Sequence, residues 1–294
     1  MRPALVPGER RVVTSDGVEL YVKVAGRGPV CLFVHGGPGQ GSLSFEKMGG
    51  DVLESFLTMI YLDQRGSGKS QGGRDYCLER VMQDLEEVRR SLDQDQLCLI
   101  AHSFGGVLAV NYARRHPQHV SKLILANATL QFLSPEQGRM QIAFANQLLG
   151  RRIVTVAADA GAAAIDTARG EARSAVMRSG NGYRFLTERV ETIQVMTALD
   201  QSYPRARDFG RAVIEGRNTL PEYYADYAPE TASLDLPVLV ITGTRDYAVG
   251  PDEHKRFRFP HQRTVTLDGG HLPYYESTVA FAGAIRELMT DRRR

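Results

Sequence analysis

Residues 97–112 constrain the fold more than any other stretch of the chain. They open with the apolar run Leu97-Cys98-Leu99-Ile100-Ala101, break at His102-Ser103-Phe104, and resume as Gly105-Gly106-Val107-Leu108-Ala109-Val110-Asn111-Tyr112. A short buried strand, a sharp reversal and a helix fit this pattern. Ser103 stands at the reversal, and its neighbours two positions away, Ala101 and Gly105, are both small. A larger side chain at either place is expected to clash across the turn. Such a turn strains the serine backbone and exposes its hydroxyl. The helix that follows aims its N-terminal N–H groups and positive dipole end at whatever sits over that hydroxyl. The plainer reading is a strand-turn-helix with an incidental serine, so the rest of the chain must decide.

At 294 residues the chain has room for one large α/β domain, or for a domain with an insertion. A hydrophobic fraction of 43% is ample for a core. The 36 Lys and Arg residues nearly cancel the 34 Asp and Glu, leaving +2. The terminal Arg292-Arg293-Arg294 reads as a solvated tail, so nothing favours nucleic acid or another polyanion as partner. The opening residues 1–11 hold no apolar stretch of signal-peptide length, and no run approaches membrane-spanning length. Cys31, Cys77 and Cys98 lack paired spacing, which suits core residues or free thiols rather than a disulfide frame or metal site. A soluble, reduced, cytoplasmic protein with no membrane partner is expected.

Taken in order, residues 11–24 alternate around Ser15-Asp16-Gly17, as a hairpin with an Asp-Gly turn does. Residues 30–34 form a continuous apolar run, expected of a strand buried on both faces. That run ends in His35-Gly36-Gly37-Pro38-Gly39, flexible backbone where open α/β sheets build ligand sites. Residues 56–62 read as another strand, followed by Asp63-Gln64-Arg65-Gly66-Ser67-Gly68-Lys69-Ser70. This loop lacks phosphate-loop spacing, so Asp63 and Arg65 are expected to hold neighbouring loops together. Val81, Leu85, Val88 and Leu92 repeat at helical spacing over 79–92, and 120–126 reads as the next strand.

From 131 to 231 the alternation of strand and helix gives way to alanine-rich, helix-permitting stretches, with helices expected at 139–149, 157–168 and 186–199. This divides the chain into a core at 1–130 and 232–294 and a helical cap at 131–231. The alternation returns with strands at 236–243 and 263–267 and a closing helix at 279–289.

Three groups then stand at the C-terminal ends of predicted strands: Ser103, Asp246 and His271. Ser103 needs a base to take its proton, which His271 supplies. The imidazole needs a carboxylate to fix its tautomer and stabilise its charged form, which Asp246 supplies. The developing oxyanion needs N–H donors, from the Phe104 amide and from the His35–Gly39 loop. Asp268 competes with Asp246 but lies only three residues before His271. His35 and His102 flank these positions and are expected to support the loops.

The small-x-Ser-x-Gly segment matches the nucleophile elbow of α/β-hydrolases, with Ala101 in place of the first glycine, and the order Ser, Asp, His is theirs too. His35–Gly39, Asp63–Ser70, His102–Gly106 and Gly269-Gly270-His271-Leu272 together resemble the proline iminopeptidase group of that superfamily, over 10–130 and 232–290. The resemblance implies a mostly parallel eight-stranded sheet with a helical cap between strands six and seven. It also implies that the Gly37 amide joins Phe104 in the oxyanion hole. Two features depart from the group. Phe104 replaces the usual Trp after the nucleophile, in a chain with no Trp at all. Proline iminopeptidase caps carry acidic residues for the substrate's free amino terminus. Here Glu188, Glu191 and Glu222 are candidates, with Glu188 and Glu191 three apart on one face if helical; the alternative is a solvated helix surface.

The expected function is hydrolysis of a small ester or amide, either an N-terminal prolyl peptide or a carboxylic ester, through an acyl-enzyme on Ser103. A natural-product acyl hydrolase and a non-catalytic small-molecule-binding protein on the same fold are the alternatives. Dehalogenases and epoxide hydrolases place Asp at the elbow, where this chain has Ser103. No cofactor or metal is implied.

Overall fold

The computed structural model describes residues 5–291, so the Arg292–Arg294 tail lies outside it. One sheet of eight strands has the order β1-β2-β4-β3-β5-β6-β7-β8. Its strands are β1 (Gly8–Val13), β2 (Glu19–Gly26), β3 (Val30–Val34), β4 (Thr58–Leu62), β5 (Leu97–His102), β6 (Val120–Ala126), β7 (Val238–Gly243) and β8 (Gln262–Leu267). Strand β2 pairs antiparallel with both β1 and β4, and every pairing from β4 to β8 is parallel. The mostly parallel sheet expected from the sequence is therefore present.

The central strands read as unbroken apolar runs because both faces are covered. In β3 and β5, Leu32, Val34, Leu99 and Ala101 enter one core while Cys31, Phe33, Cys98 and Ile100 enter the other. The helices are α1 (Leu43–Lys47), α2 (Leu78–Ser91), α3 (Gly105–Arg115), α4 (Pro135–Leu148), α5 (Ala162–Arg178), α6 (Val190–Gln201), α7 (Asp208–Glu215), α8 (Pro273–Glu276) and α9 (Thr278–Thr290). Val81, Leu85, Val88 and Leu92, the stripe that marked α2, are all buried.

Helices α4 to α7 fall between β6 and β7, where an inserted helical segment was expected. Helices α4 and α5 share a core of their own, built from Ile142, Phe144, Ile165, Ala172 and Val176 with Phe185. Their bounds differ from the sequence reading. Helix α4 starts earlier because Ser134 Oγ accepts from the Gln137 N–H at 3.1 Å, with Pro135 in the first turn. Helix α5 begins only after Gly161 and runs to Arg178, ten residues beyond its expected end at 168. Helix α6 begins after Arg189, so Glu188 lies before it and shares no helix face with Glu191.

Candidate active site

The elbow has the conformation that the small residues around Ser103 require. Ser103 has φ +55°, a left-handed conformation rare for residues with a Cβ. Its carbonyl accepts from Gly106 N at 3.0 Å and Thr129 N at 3.1 Å, which fixes the turn from both sides. A Cβ on Gly105 would stand 2.2 Å from the Val34 carbonyl, so the start of α3 sits directly against the end of β3. A Cβ on Gly36 would lie 2.7 Å from both the His102 carbonyl and Ser103 Cβ. The glycines of the β3 loop thus let its backbone pack against the serine. Gly37, at φ +115°, turns that loop onward in a conformation L side chains rarely adopt.

His271 follows β8 and Asp246 follows β7. The His271 Nδ1 lies 3.0 Å from each Asp246 carboxylate oxygen. Asp246 is fully buried, and its Oδ1 also accepts from the Ala248 and Val249 amides at 2.9 and 3.0 Å. Four interactions on one carboxylate leave it little freedom. With Nδ1–H donated to Asp246, the His271 Nε2 carries the lone pair. Asp268, the competing acid, is exposed and pairs instead with Arg245 and Thr244.

The supporting histidines behave as expected of buried neutral rings. The Gln64 N–H donates to His35 Nε2 at 3.0 Å, and Nδ1 lies 3.0 Å from the Gly36 carbonyl and 3.3 Å from the Gly41 N–H. Gln64 Nε2 donates to the His35 carbonyl at 2.8 Å, so the β3 and β4 exit loops are stitched together. His102 Nε2 lies 2.8 Å from the His271 carbonyl, and burial with the neighbouring His271 holds the His102 pKa down to about 3. Asp63 accepts from Ser42 N and Oγ at 2.7 and 2.8 Å and from Lys69 N at 2.8 Å. Arg65 bridges Asp84 and Asp16. Both therefore tie loops together, as the sequence suggested.

Two supports were not foreseen. Asn127, just after β6, donates to the Gly270 carbonyl at 2.8 Å and accepts from Gly243 N at 2.7 Å, joining the Asp246 and His271 loops. Glu276 accepts from Gly270 N and from Thr187 Oγ1, joining the His271 loop to the inserted segment. An Asn directly after a buried strand was the one available signal for the first.

Ser103 and His271 face a cavity of about 570 Å³ roofed by the inserted helices. Phe104, Phe132, Phe185, Ile193 and Leu272 line much of it, with Gln137, Gln141, Arg169 and Arg173 as its polar side chains from α4 and α5. No acidic side chain among the described residues lines it. Glu188 is instead half exposed and paired with Arg245 at 2.9 Å, and Glu191 is exposed. Glu222 accepts from Leu78 N at 3.2 Å beside a separate surface groove with Cys77 and Arg114. Elsewhere, Glu86, His116 and His119 bring metal-ligand atoms together. Glu86 is already held by Arg89, Arg90 and Tyr112 at 2.6–2.8 Å, a poor setting for a cation.

Residues 29–278 match the α/β hydrolase fold family. The chain belongs to that family. Within it, this chain is 31% identical over 118 residues to a proline iminopeptidase of Saccharolobus solfataricus, a match covering 38% of each chain. It is 26% identical to the proline iminopeptidase of Lactobacillus delbrueckii subsp. lactis over 93% of this chain and 94% of that one. The crystal structure of a proline iminopeptidase-related protein from Thermus thermophilus superposes with a TM-score of 0.76 at 24% identity, covering 97% and 98% of the two chains. The chain thus spans well under two thirds of its Saccharolobus relative and nearly all of the other two. No helix among its described residues is long and apolar enough to cross a membrane.

Proposed function

We propose that this hydrolase cleaves small carboxylic esters or amides through an acyl-enzyme on Ser103. The observation that carries the reading is a left-handed serine facing the same cavity as a histidine whose other nitrogen is locked on a buried carboxylate. Ser103 Oγ attacks the substrate carbonyl carbon and its proton passes to His271 Nε2. The imidazolium is stabilised by Asp246, while the amides of Phe104 and Gly37 hold the oxyanion. Collapse of the tetrahedral intermediate expels the alcohol or amine with the proton from His271. Water, activated by the same histidine, then releases the carboxylic acid and restores Ser103. Residues 131–231 act as the cap that encloses the acyl and leaving groups, and the free thiols Cys31, Cys77 and Cys98 fit a reducing, cytoplasmic setting.

Between the two substrate classes, the lining favours the ester. A prolyl peptide brings an ammonium group, which needs a carboxylate once desolvated, and Glu188, Glu191 and Glu222 all point elsewhere. The test is a side-by-side kcat/KM on a prolyl arylamide, its amino-blocked form and a short-chain aryl ester, each with Ser103→Ala as control. The reading expects the ester to be the best substrate and the variant to be inactive on it. Turnover of the free prolyl arylamide far above the other two would establish the aminopeptidase instead.

A further inference from the structure

The cavity wall carries a cation with no ion-pair partner among the described residues. Arg169, Arg173 and Met177 recur every four residues on one face of α5, and all three line the cavity. Arg169 is answered by Asp166, whose Oδ1 lies 3.0 Å from its Nε. Arg173 has no carboxylate within ion-pair distance among the described residues. Its hydrogen bond runs from Nη1 to Gln141 Oε1 at 3.4 Å, and its guanidinium lies 4.6 Å above the Phe185 ring. Burial, with Arg169 nearby, pulls the Arg173 pKa below its ordinary value, the direction expected where no anion compensates.

The group is also held in place. Gln141 donates its Nε2 to the Ala248 carbonyl at 2.7 Å, and the Ala248 amide donates to Asp246. Phe185 packs edge-on against Phe144, which stacks on Tyr247 at 3.8 Å. The guanidinium is therefore mounted on the same loop that carries the acid beside His271. A partly desolvated cation is costly unless paired, and a planar guanidinium matches a carboxylate in two-point geometry.

We propose that Arg173 is a specificity-determining residue that binds a carboxylate on the substrate, so that the hydrolase acts on esters or amides of a dicarboxylic acid or on similarly acidic acyl compounds. This rests on the acyl-enzyme reading above and narrows its substrate class. Hydrolysis then proceeds as already described, with the second carboxylate unchanged and paired to Arg173 throughout.

The test compares the mono-4-nitrophenyl ester of glutaric acid with 4-nitrophenyl pentanoate, of similar acyl length and no charge. Wild type is expected to favour the charged ester in kcat/KM. Arg173→Met should lower that preference about 10- to 100-fold, the range for a hydrogen bond to a charged group, and Arg173→Lys should restore part of it. A second measurement needs no turnover: calorimetric binding of glutarate to Ser103→Ala protein, which should weaken at least tenfold when Arg173→Met is added. An unchanged preference in Arg173→Met, or equal glutarate binding with and without Arg173, overturns the proposal. Loss of all ester turnover in wild type with Arg173-dependent glutarate binding intact overturns the acyl-enzyme reading and leaves the anion site standing.

Discussion

Replacing Arg65 with methionine is expected to make the protein unfold more readily without touching its cavity. The Arg65 side chain is fully buried; it donates from Nε and Nη2 to the two oxygens of Asp84 at 2.6 and 2.7 Å. Nη1 donates to Asp16 at 2.9 Å and to the Asp75 carbonyl at 2.9 Å. Burial raises the Asp84 carboxyl pKa even beside two guanidiniums, so the pair as a whole is no large net gain. Breaking it differs from never having built it. Arg65→Met leaves Asp84 almost wholly buried with Arg80 as its remaining cation, at 2.9 Å. Removing one partner of a buried pair costs about 3–5 kcal/mol, and Arg80 places this case near the lower end, about 3 kcal/mol. With a urea m-value of about 3 kcal/mol per M, the midpoint should fall by about 1 M. Adding Asp84→Leu removes the stranded charge, so the double variant should lose at least about 1 kcal/mol less than the sum of the singles. Equilibrium urea unfolding by circular dichroism measures all three proteins. A midpoint within about 0.2 M of wild type for Arg65→Met, or strict additivity in the cycle, would refute the reasoning.

Gly36→Ala places a Cβ 2.7 Å from Ser103 Cβ, so the elbow must shift; kcat on an aryl ester should fall about 100-fold while binding of glutarate to the protein changes little. Asp246→Asn should lower kcat about 10⁴-fold through the wrong histidine tautomer, whereas Asp268→Asn, which breaks an exposed ion pair with Arg245, should leave kcat within about twofold; the reverse outcome would make Asp268 the acid. His102 titrates near 6.5 when unfolded and about 3 when folded. The unfolded chain therefore binds the extra proton in that window, and stability must rise with pH across it. Lowering the pH from 7 to 5 should cost about 2 kcal/mol through this group. The unfolding free energies of wild type and His102→Asn, measured at both pH values, should converge by that amount; a constant gap would contradict a buried neutral His102.

The parts of the fold that were legible in the sequence are those where one physical demand dominates. Residues 30–34 and 120–126 match β3 and β6 to the residue, because a strand buried on both faces reads as an apolar run, unbroken in β3 and from Leu123 to Ala126 in β6, that ends abruptly at a loop. The positions of Ser103 and Asp246 could be read because β5 and β7 are such strands, whereas β8, ahead of His271, is a polar edge strand with Arg263, Thr264 and Thr266 exposed, so the Gly269-Gly270 loop was the signal there. The inserted helices were less so. Alanine-rich sequence permits helix almost anywhere, and the actual bounds follow from Ser134-Pro135 and Gly161 and from packing around Phe185. The glutamates between β6 and β7 illustrate the larger gap. Glu188 and Glu191 were candidates for an ammonium clamp only if both were helical, yet α6 begins at Val190 and leaves Glu188 ahead of it, paired with Arg245. The four-residue spacing of Arg169, Arg173 and Met177 was present in the sequence, but only the position of Asp166 and the cavity separates the answered arginine from the unanswered one.

The covalent step is the centre of the account, and intact-protein mass spectrometry after a short exposure to a fluorophosphonate tests it most directly. The account predicts a single adduct on wild type, mapped to Ser103 by peptide analysis, no adduct on Ser103→Ala, and much slower labelling of His271→Ala. Labelling of Ser103→Ala at another serine, or wild type that hydrolyses esters while remaining unlabelled, would contradict it.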